Sequence, residues 1–222
     1  MIENTVYKKR RKKLFRLMKD NSIVLIESAP EKIRNNDSTY RYRQCSNFYY
    51  LTGYNKPSAL LVLLKKNKKL ITHFFTKKPN KHDEVWTGQL PTSAKTKNLY
   101  GFDKCSYLND LEKYLMLYLE NIKTIYHAWG DDTVSKLIFD SCLHKLSEKY
   151  RSGTEVPSEF FSLKKIVHKL RLIKDKSEIN LIRTAGKISS LAHIEMIKKC
   201  KPGLTERELE AVLIYNFNIN NA

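Results

Sequence analysis

Short apolar runs of strand type alternate with helical stretches as far as about residue 161, and then they stop. The clearest run is Ser22 to Ala29, SIVLIESA, whose Ile-Val-Leu-Ile centre shows no polar alternation. Such a run marks a strand buried on both faces. Ala59 to Leu64 and Leu70 to Phe75 read as two more strands joined by a turn around Asn67. Thr124 to His127 reads as another, and Phe48 to Thr52 as a short strand closed by Gly53. Helical spacing predicts helices from Thr5 to Asp20, from Tyr107 to Glu120 and from Thr133 to Lys149. The second has Leu108, Leu111, Leu115 and Leu119 on one face, and the third turns Val134, Leu137, Ile138 and Leu146 inward. Residues 30–43 are polar and loop-like, and residues 151–157 are turn-rich. Strands alternating with helices imply an α/β layer in which helices pack on a mixed sheet.

From Ser162 onward only helices are predicted. One runs from Leu163 to Leu172. A second starts at Asp175, which has Glu178 at capping-box spacing, and runs to Lys199 before Pro202-Gly203 stops it. Thr205 with Glu208 caps a third, whose apolar face carries Leu209, Val212, Leu213 and Tyr215. That face finds nothing downstream to cover it, so the terminal helices are expected to open a second domain whose sheet is missing. The division is placed between residues 173 and 174.

A net charge of +18 raises the question of nucleic acid. Lys outnumbers Arg about three to one, whereas planar recognition of phosphate favours Arg. The basic runs at 65–69, 77–81, 164–169 and 198–201 fall on different predicted elements, so scattered surface lysine is expected and nucleic acid is not an expected partner. Abundant Lys, Asn and Ile suggest AT-biased coding. The densest run, Lys8 to Lys13, has the composition of a localisation signal. It lies, however, in an amphipathic helix backed by Leu14, Phe15, Leu17 and Met18, and reads as a solvated helix face. Cys45, Cys105, Cys142 and Cys200 form no CxxC pair, which excludes a zinc-type pairing and a dense disulfide scaffold. No apolar run is long enough to cross a bilayer, and the N-terminus lacks the apolar core of a signal peptide. A cytoplasmic chain with reduced thiols and no membrane contact is expected.

No HExxH, GxSxG, Walker loop or GxGxxG occurs. Only 7 glycines leave little for a phosphate-cradling backbone. The histidines at 73, 82, 127, 144, 168 and 193 have no ligand spacing among themselves. Asp131-Asp132 is the one adjacent Asp pair, and Asp132 reads as a helix cap ahead of Thr133 rather than a metal ligand. Read from its residues alone, the chain contains no catalytic constellation.

One long segment is more specific. Asp37 to Ala59 runs DSTYRYRQCSNFYYLTGYNKPSA and follows the pattern D-S-x-Y-x-[YF]-R-Q-x-S-x-F-x-Y-[LF]-T-G-[FY]-x-x-P-x-A. Two further segments agree in order: residues 83–88 (DEVWTG), and the stretch from Val167-His168-Lys169-Leu170-Arg171 through Ile182-Arg183-Thr184-Ala185-Gly186 to Lys201-Pro202-Gly203. The chain thereby resembles the amino-terminal portion of the aminopeptidase P family. The resemblance implies a creatinase-like N-terminal α/β domain followed by the start of a pita-bread α+β domain. It also implies release of the N-terminal residue from proline-containing peptides that carry proline second. Two divalent metals, usually manganese, would hold the attacking hydroxide. In the family their ligands are two Asp, one His and two Glu of the pita-bread sheet. None is carried over to this chain, which is expected to bind no metal and to lack peptidase activity by itself.

What the resemblance does carry over is peripheral. Trp86 matches a tryptophan that reaches a neighbouring subunit's active site in oligomeric bacterial members, which implies a homo-oligomer; a half-buried core indole is the alternative. Asp37 and Arg43 lie in the signature loop facing the catalytic domain, and Arg151 is expected to face the same cleft. For these three the plainer reading is an interdomain or loop-bracing salt bridge. Other readings of the whole chain are a non-catalytic oligomerisation or partner-binding domain, a basic nucleic-acid-binding protein, and a creatinase-like or prolidase-like relative.

Overall fold

The computed structural model describes residues 3–128, 134–149, 151 and 153–222. The chain divides into two units, residues 1–171 and 172–222. In the first, a six-stranded mixed sheet has the order β6-β5-β4-β1-β7-β8. Its strands are β1 (Ser22–Glu27), β4 (Ala59–Lys66), β5 (Lys69–Thr76), β6 (Lys104–Tyr107), β7 (Thr124–His127) and β8 (Glu159–Ser162). A two-stranded hairpin, β2 (Ile33–Asn35) with β3 (Ser38–Thr39), stands apart from it. The β4–β5 hairpin turns at Asn67 and Lys68, both at positive φ, where the lysine-asparagine turn is predicted.

The unbroken apolar runs follow from the layering. Val24 and Ile26 of β1 join Leu61 and Leu63 of β4 and Phe74 of β5 in one core. Ile23, Leu25, Leu60, Val62, Leu64 and Phe75 face the other. Successive side chains of a strand point to opposite faces, so a sheet covered on both sides needs an apolar residue at every position. One face is covered by α1 (Asn4–Leu17), α2 (Ser46–Thr52) and α7 (Leu163–Leu172). The other lies under α5 (Leu111–Leu119) and α6 (Val134–Ser147). Two short polar helices, α3 (Lys81–Thr87) and α4 (Ser93–Tyr100), connect β5 to β6.

Two of the expected elements are corrected. Residues 48–52 are helical rather than extended: Phe48, Leu51 and Thr52 are all fully buried, at i, i+3 and i+4. Aromatic content gives this segment its strand-like look, but Gly53, at φ 71°, ends a helix in the left-handed conformation. A Cβ at Gly53 would also lie 2.6 Å from the Tyr7 ring, so two constraints select glycine. The helix expected from Tyr107 begins only at Leu111, because residues 104–107 form β6 and a 3-10 turn follows. The last helix of the first unit is α7, with Leu163 and Val167 buried in its core.

The second unit is a helical pair, α8 (Lys176–Lys199) and α9 (Glu206–Ile219). Both predicted capping boxes form, Asp175 with Glu178 and Thr205 with Glu208. Within this pair only Ala192 is buried. Among the described residues no helix is long and apolar enough to cross a membrane.

Candidate functional site

The signature segment separates into an inward part and an outward part. Inward, the buried Gln44 side chain binds four backbone groups. Its Oε1 accepts from the Ala29 and Cys45 amides at 2.8 and 2.9 Å, and its Nε2 donates to the Tyr54 and Lys56 carbonyls, each at 3.1 Å. One amide side chain thus ties the end of β1 to both sides of α2, satisfying backbone groups that burial would otherwise strand. The Tyr42 hydroxyl donates to the Ala29 carbonyl at 3.0 Å, and burial pushes that phenol up to about 12. Tyr54, also buried, hydrogen-bonds the Thr76 hydroxyl at 3.2 Å and meets Phe74 and Tyr100 edge-on.

Behind the segment stand two arginines, where a solvated basic face is expected for Lys8 to Lys13. The lysines of that run are exposed, but Arg10 and Arg11 are 4% and 1% exposed. Arg11 donates to the Leu51 carbonyl at 2.9 Å and to the Tyr100 and Gly101 carbonyls at 3.1 and 2.8 Å. Arg10 donates to the Tyr50 carbonyl at 3.3 Å and lies 4.3 Å from the Tyr50 ring centre. These carbonyls end α2 and α4, where the helix dipole is negative and the last acceptors lack partners. A planar guanidinium with several donors suits that position better than an ammonium. Burial pulls Arg11 down to about 10 against the opposing field of Asp103, so it stays charged at neutral pH. Lysines do the same work elsewhere: Lys65 donates to the Phe15 and Met18 carbonyls ending α1, and Lys66 to the Glu120 carbonyl after α5.

His73 on β5 was not distinguishable by spacing from the other histidines. It is buried, with Nδ1 2.9 Å from the Tyr118 hydroxyl and Nε2 2.9 Å from Ser106 Oγ, and it stacks on Phe75. Burial, helped by Lys104, lowers it to about 4. A neutral imidazole held between two hydroxyls is a structural lock joining β5, β6 and α5.

The outward part holds the residues singled out from sequence. Asp37 sits in the Asn36-Asp37 turn of the β2–β3 hairpin, and Arg43 follows just after; both are exposed. Among the described residues no hydrogen bond or ion pair joins Asp37 to Arg43, so these two do not brace the loop against each other. Ile33 and Tyr40 on the same hairpin are 70% and 58% exposed. Trp86 is on α3, not in the core: it is 81% exposed beside Val85 at 80%. Arg151 is exposed in the connection after α6. The Asp131-Asp132 pair lies outside the described residues. Among those described, no three His, Cys, Asp or Glu side chains are grouped so as to hold a metal ion.

The family described as aminopeptidase P, N-terminal domain, matches residues 7–126. A Xaa-Pro aminopeptidase of Escherichia coli is 33% identical over 225 residues, which cover 100% of this chain and 50% of the relative. The solved aminopeptidase P from E. coli in its low-pH form superposes with a TM-score of 0.96 at 32% identity, over 100% of this chain and 51% of that one. Proline aminopeptidase P II from Yersinia pestis gives 0.95 at 32%, over 100% and 51%. The chain spans about half the length of the curated relatives it matches.

Proposed function

The chain belongs to the aminopeptidase P family by its N-terminal domain, and from that premise we propose that it supplies the amino-terminal half of a Xaa-Pro aminopeptidase. The activity proposed is release of the N-terminal residue from peptides with proline in second position. What carries the reading is similarity along the whole chain, through the helical pair as well as the α/β unit. In this proposal residues 1–173 form the N-terminal domain and residues 174–222 begin a pita-bread domain. A cytoplasmic location belongs to the same reading, supported by four free cysteines.

Hydrolysis by paired manganese ions needs several carboxylates around two cations and yields a nucleophile at neutral pH. The described residues do not fit that pair, because they bring no such donor set together. No step through the metals is therefore assigned to them. Their part is to shape and charge a wall of the cleft: Asp37 on the hairpin and Arg43 just after it, with Arg151, offer one carboxylate and two guanidinium groups to a peptide's charged ends. Trp86 extends toward a neighbouring subunit.

A chimera tests this directly. Residues 1–222 replace the matching half of the E. coli relative, and manganese-dependent cleavage of an X-Pro-X peptide is measured. Cleavage within about tenfold of the parent is expected, with the 222-residue chain by itself inactive. A chimera that melts like the parent but does not cleave contradicts the proposal. The exposed Val85–Trp86 pair favours a second reading, a non-catalytic oligomerisation module. There Trp86→Ala changes the oligomeric state of the 222-residue chain, and the folded chimera is inert.

A further inference from the structure

The basic runs belong to different elements in sequence, but the fold brings the C-terminal end of α4, a second basic helix, against α1. The Asn4 side-chain amide of α1 reaches the Leu99 carbonyl of α4, and Arg11 reaches the end of the same helix. The core takes Tyr7, Arg10, Arg11, Leu14 and Phe15 from α1. Lys8, Lys9, Lys12, Lys13 and Arg16 are left exposed on the opposite side. Asn4, Lys8 and Lys12 share one i, i+4 row, so these lysines line one edge of α1 beyond the Asn4 contact. Lys9, Lys13 and Arg16 form the next row, and α4 adds exposed Lys95 and Lys97.

No acid offsets this surface from within. Neither α1 nor α4 contains an acidic residue, and nor does α2, which also packs on α1. Three acids lie nearby and keep their charge, but their recorded partners are neutral groups and not these cations: Glu3 accepts from the Thr5 hydroxyl, Asp20 from the Lys68 amide and Asp103 from Thr72. Among the described residues none of the seven cations forms an ion pair. Elsewhere Lys19 and Lys123 share Glu159, and Lys145 pairs with Glu112.

We propose that this α1–α4 surface binds the phosphodiester backbone of nucleic acid without sequence preference. From Lys8 to Arg16 the cations extend about 12 Å along α1 at 1.5 Å per residue, against roughly one duplex charge per 1.7 Å. Lysine ammonium groups suit point contacts with phosphate, whereas reading base edges relies on planar side chains such as Arg, Asn and Gln. A lipid surface is the weaker candidate, because Leu14, Phe15 and Met18 are buried and Leu17 is the one large apolar side chain that α1 leaves exposed, too little to insert as a face. Tightness of about 10⁻⁴ to 10⁻⁶ M at physiological salt is expected for such backbone contacts.

The experiment is fluorescence anisotropy of the 222-residue chain with a labelled 20-base-pair duplex across a salt series. One variant carries Lys8→Gln, Lys9→Gln, Lys12→Gln and Lys13→Gln. Its control, with the same change in net charge, carries Lys113→Gln, Lys165→Gln, Lys169→Gln and Lys187→Gln. The first variant should bind at least about tenfold more weakly, with a log–log salt slope shallower by about 3 to 4. The control should stay within about threefold of the parent. Equal weakening by both variants overturns the proposal in favour of net charge alone, as does no binding at low salt. Binding to anionic phosphatidylserine vesicles but not to the duplex overturns it in favour of a membrane.

Discussion

Residues 3–171 and residues 172–222 are both rich in Leu and Ile, yet they place them differently. In the first unit the apolar side chains of β1, β4 and β5 are divided between two cores, one on each face of the sheet. In the second, α8 and α9 bury Ala192 alone, while Leu181, Ile182, Leu191, Ile194, Ile197 and Ile214 remain exposed. Local signals are equally good in both: α8 and α9 have complete capping boxes, whereas the α1 N-cap makes no side-chain hydrogen bond. Caps contribute about 1 kcal/mol each, and burial of one large apolar side chain about 1.5–3. Well-formed helix ends therefore do not make a stable unit, and the first unit holds its fold through its core.

That contrast can be broken most severely at the sheet. Phe74 is fully buried among Phe48, Tyr54 and Phe102. Phe74→Ala should cost about 3–5 kcal/mol in urea unfolding followed by tyrosine fluorescence; a cost under about 1 would mean the core is not what holds the unit.

Next in size is Arg11→Leu, which keeps the apolar stem but strands the Leu51, Tyr100 and Gly101 carbonyls. A loss of about 3 kcal/mol is expected in the same assay, and Lys at this position should recover only part of it.

His73 gives a pH signature. Its folded value near 4 lies below the ordinary 6.5, so the unfolded chain binds the proton first as pH falls. Its contribution is complete above about pH 6.5 and is lost between there and about pH 4. At roughly 1.4 kcal/mol per pH unit, the ceiling is about 3 kcal/mol. The stability of His73→Gln should fall less between pH 7 and pH 4.5 than that of the parent; parallel curves would remove His73 from the account. The smallest effect belongs to the second unit, where Ile194→Ala should shift unfolding of the sheet by under about 0.5 kcal/mol.

The sheet was legible because β1 from Ile23 to Ile26 and β4 from Ala59 to Leu64 are apolar without alternation, a pattern that a doubly covered strand requires. The capping boxes were legible because they are local. Residues 48–52 misled because tyrosine and phenylalanine suit a strand as well as a helix with one buried face; Gly53 was read as the stop, but of a strand rather than of a helix. β6 and β8 escaped because four mixed residues such as KCSY show no period. Arg10 and Arg11 were hidden inside a run of six cations; their i, i+3, i+4 spacing with Tyr7, Leu14 and Phe15 places them on the buried stripe, but the carbonyls they meet belong to α2 and α4, tens of residues away. Of the candidate site, the signature was readable as a pattern. Which of its residues brace the fold, such as Gln44 and Tyr54, and which face outward, such as Asp37 and Arg43, emerged only from the packing.

Hydrogen exchange on the intact 222-residue chain tests the central contrast most directly. Amides of β1, β4, β5 and β7 should exchange only through global unfolding, while those of α8 and α9 exchange orders of magnitude faster through local opening. Equal protection in the helical pair and the sheet would contradict the account.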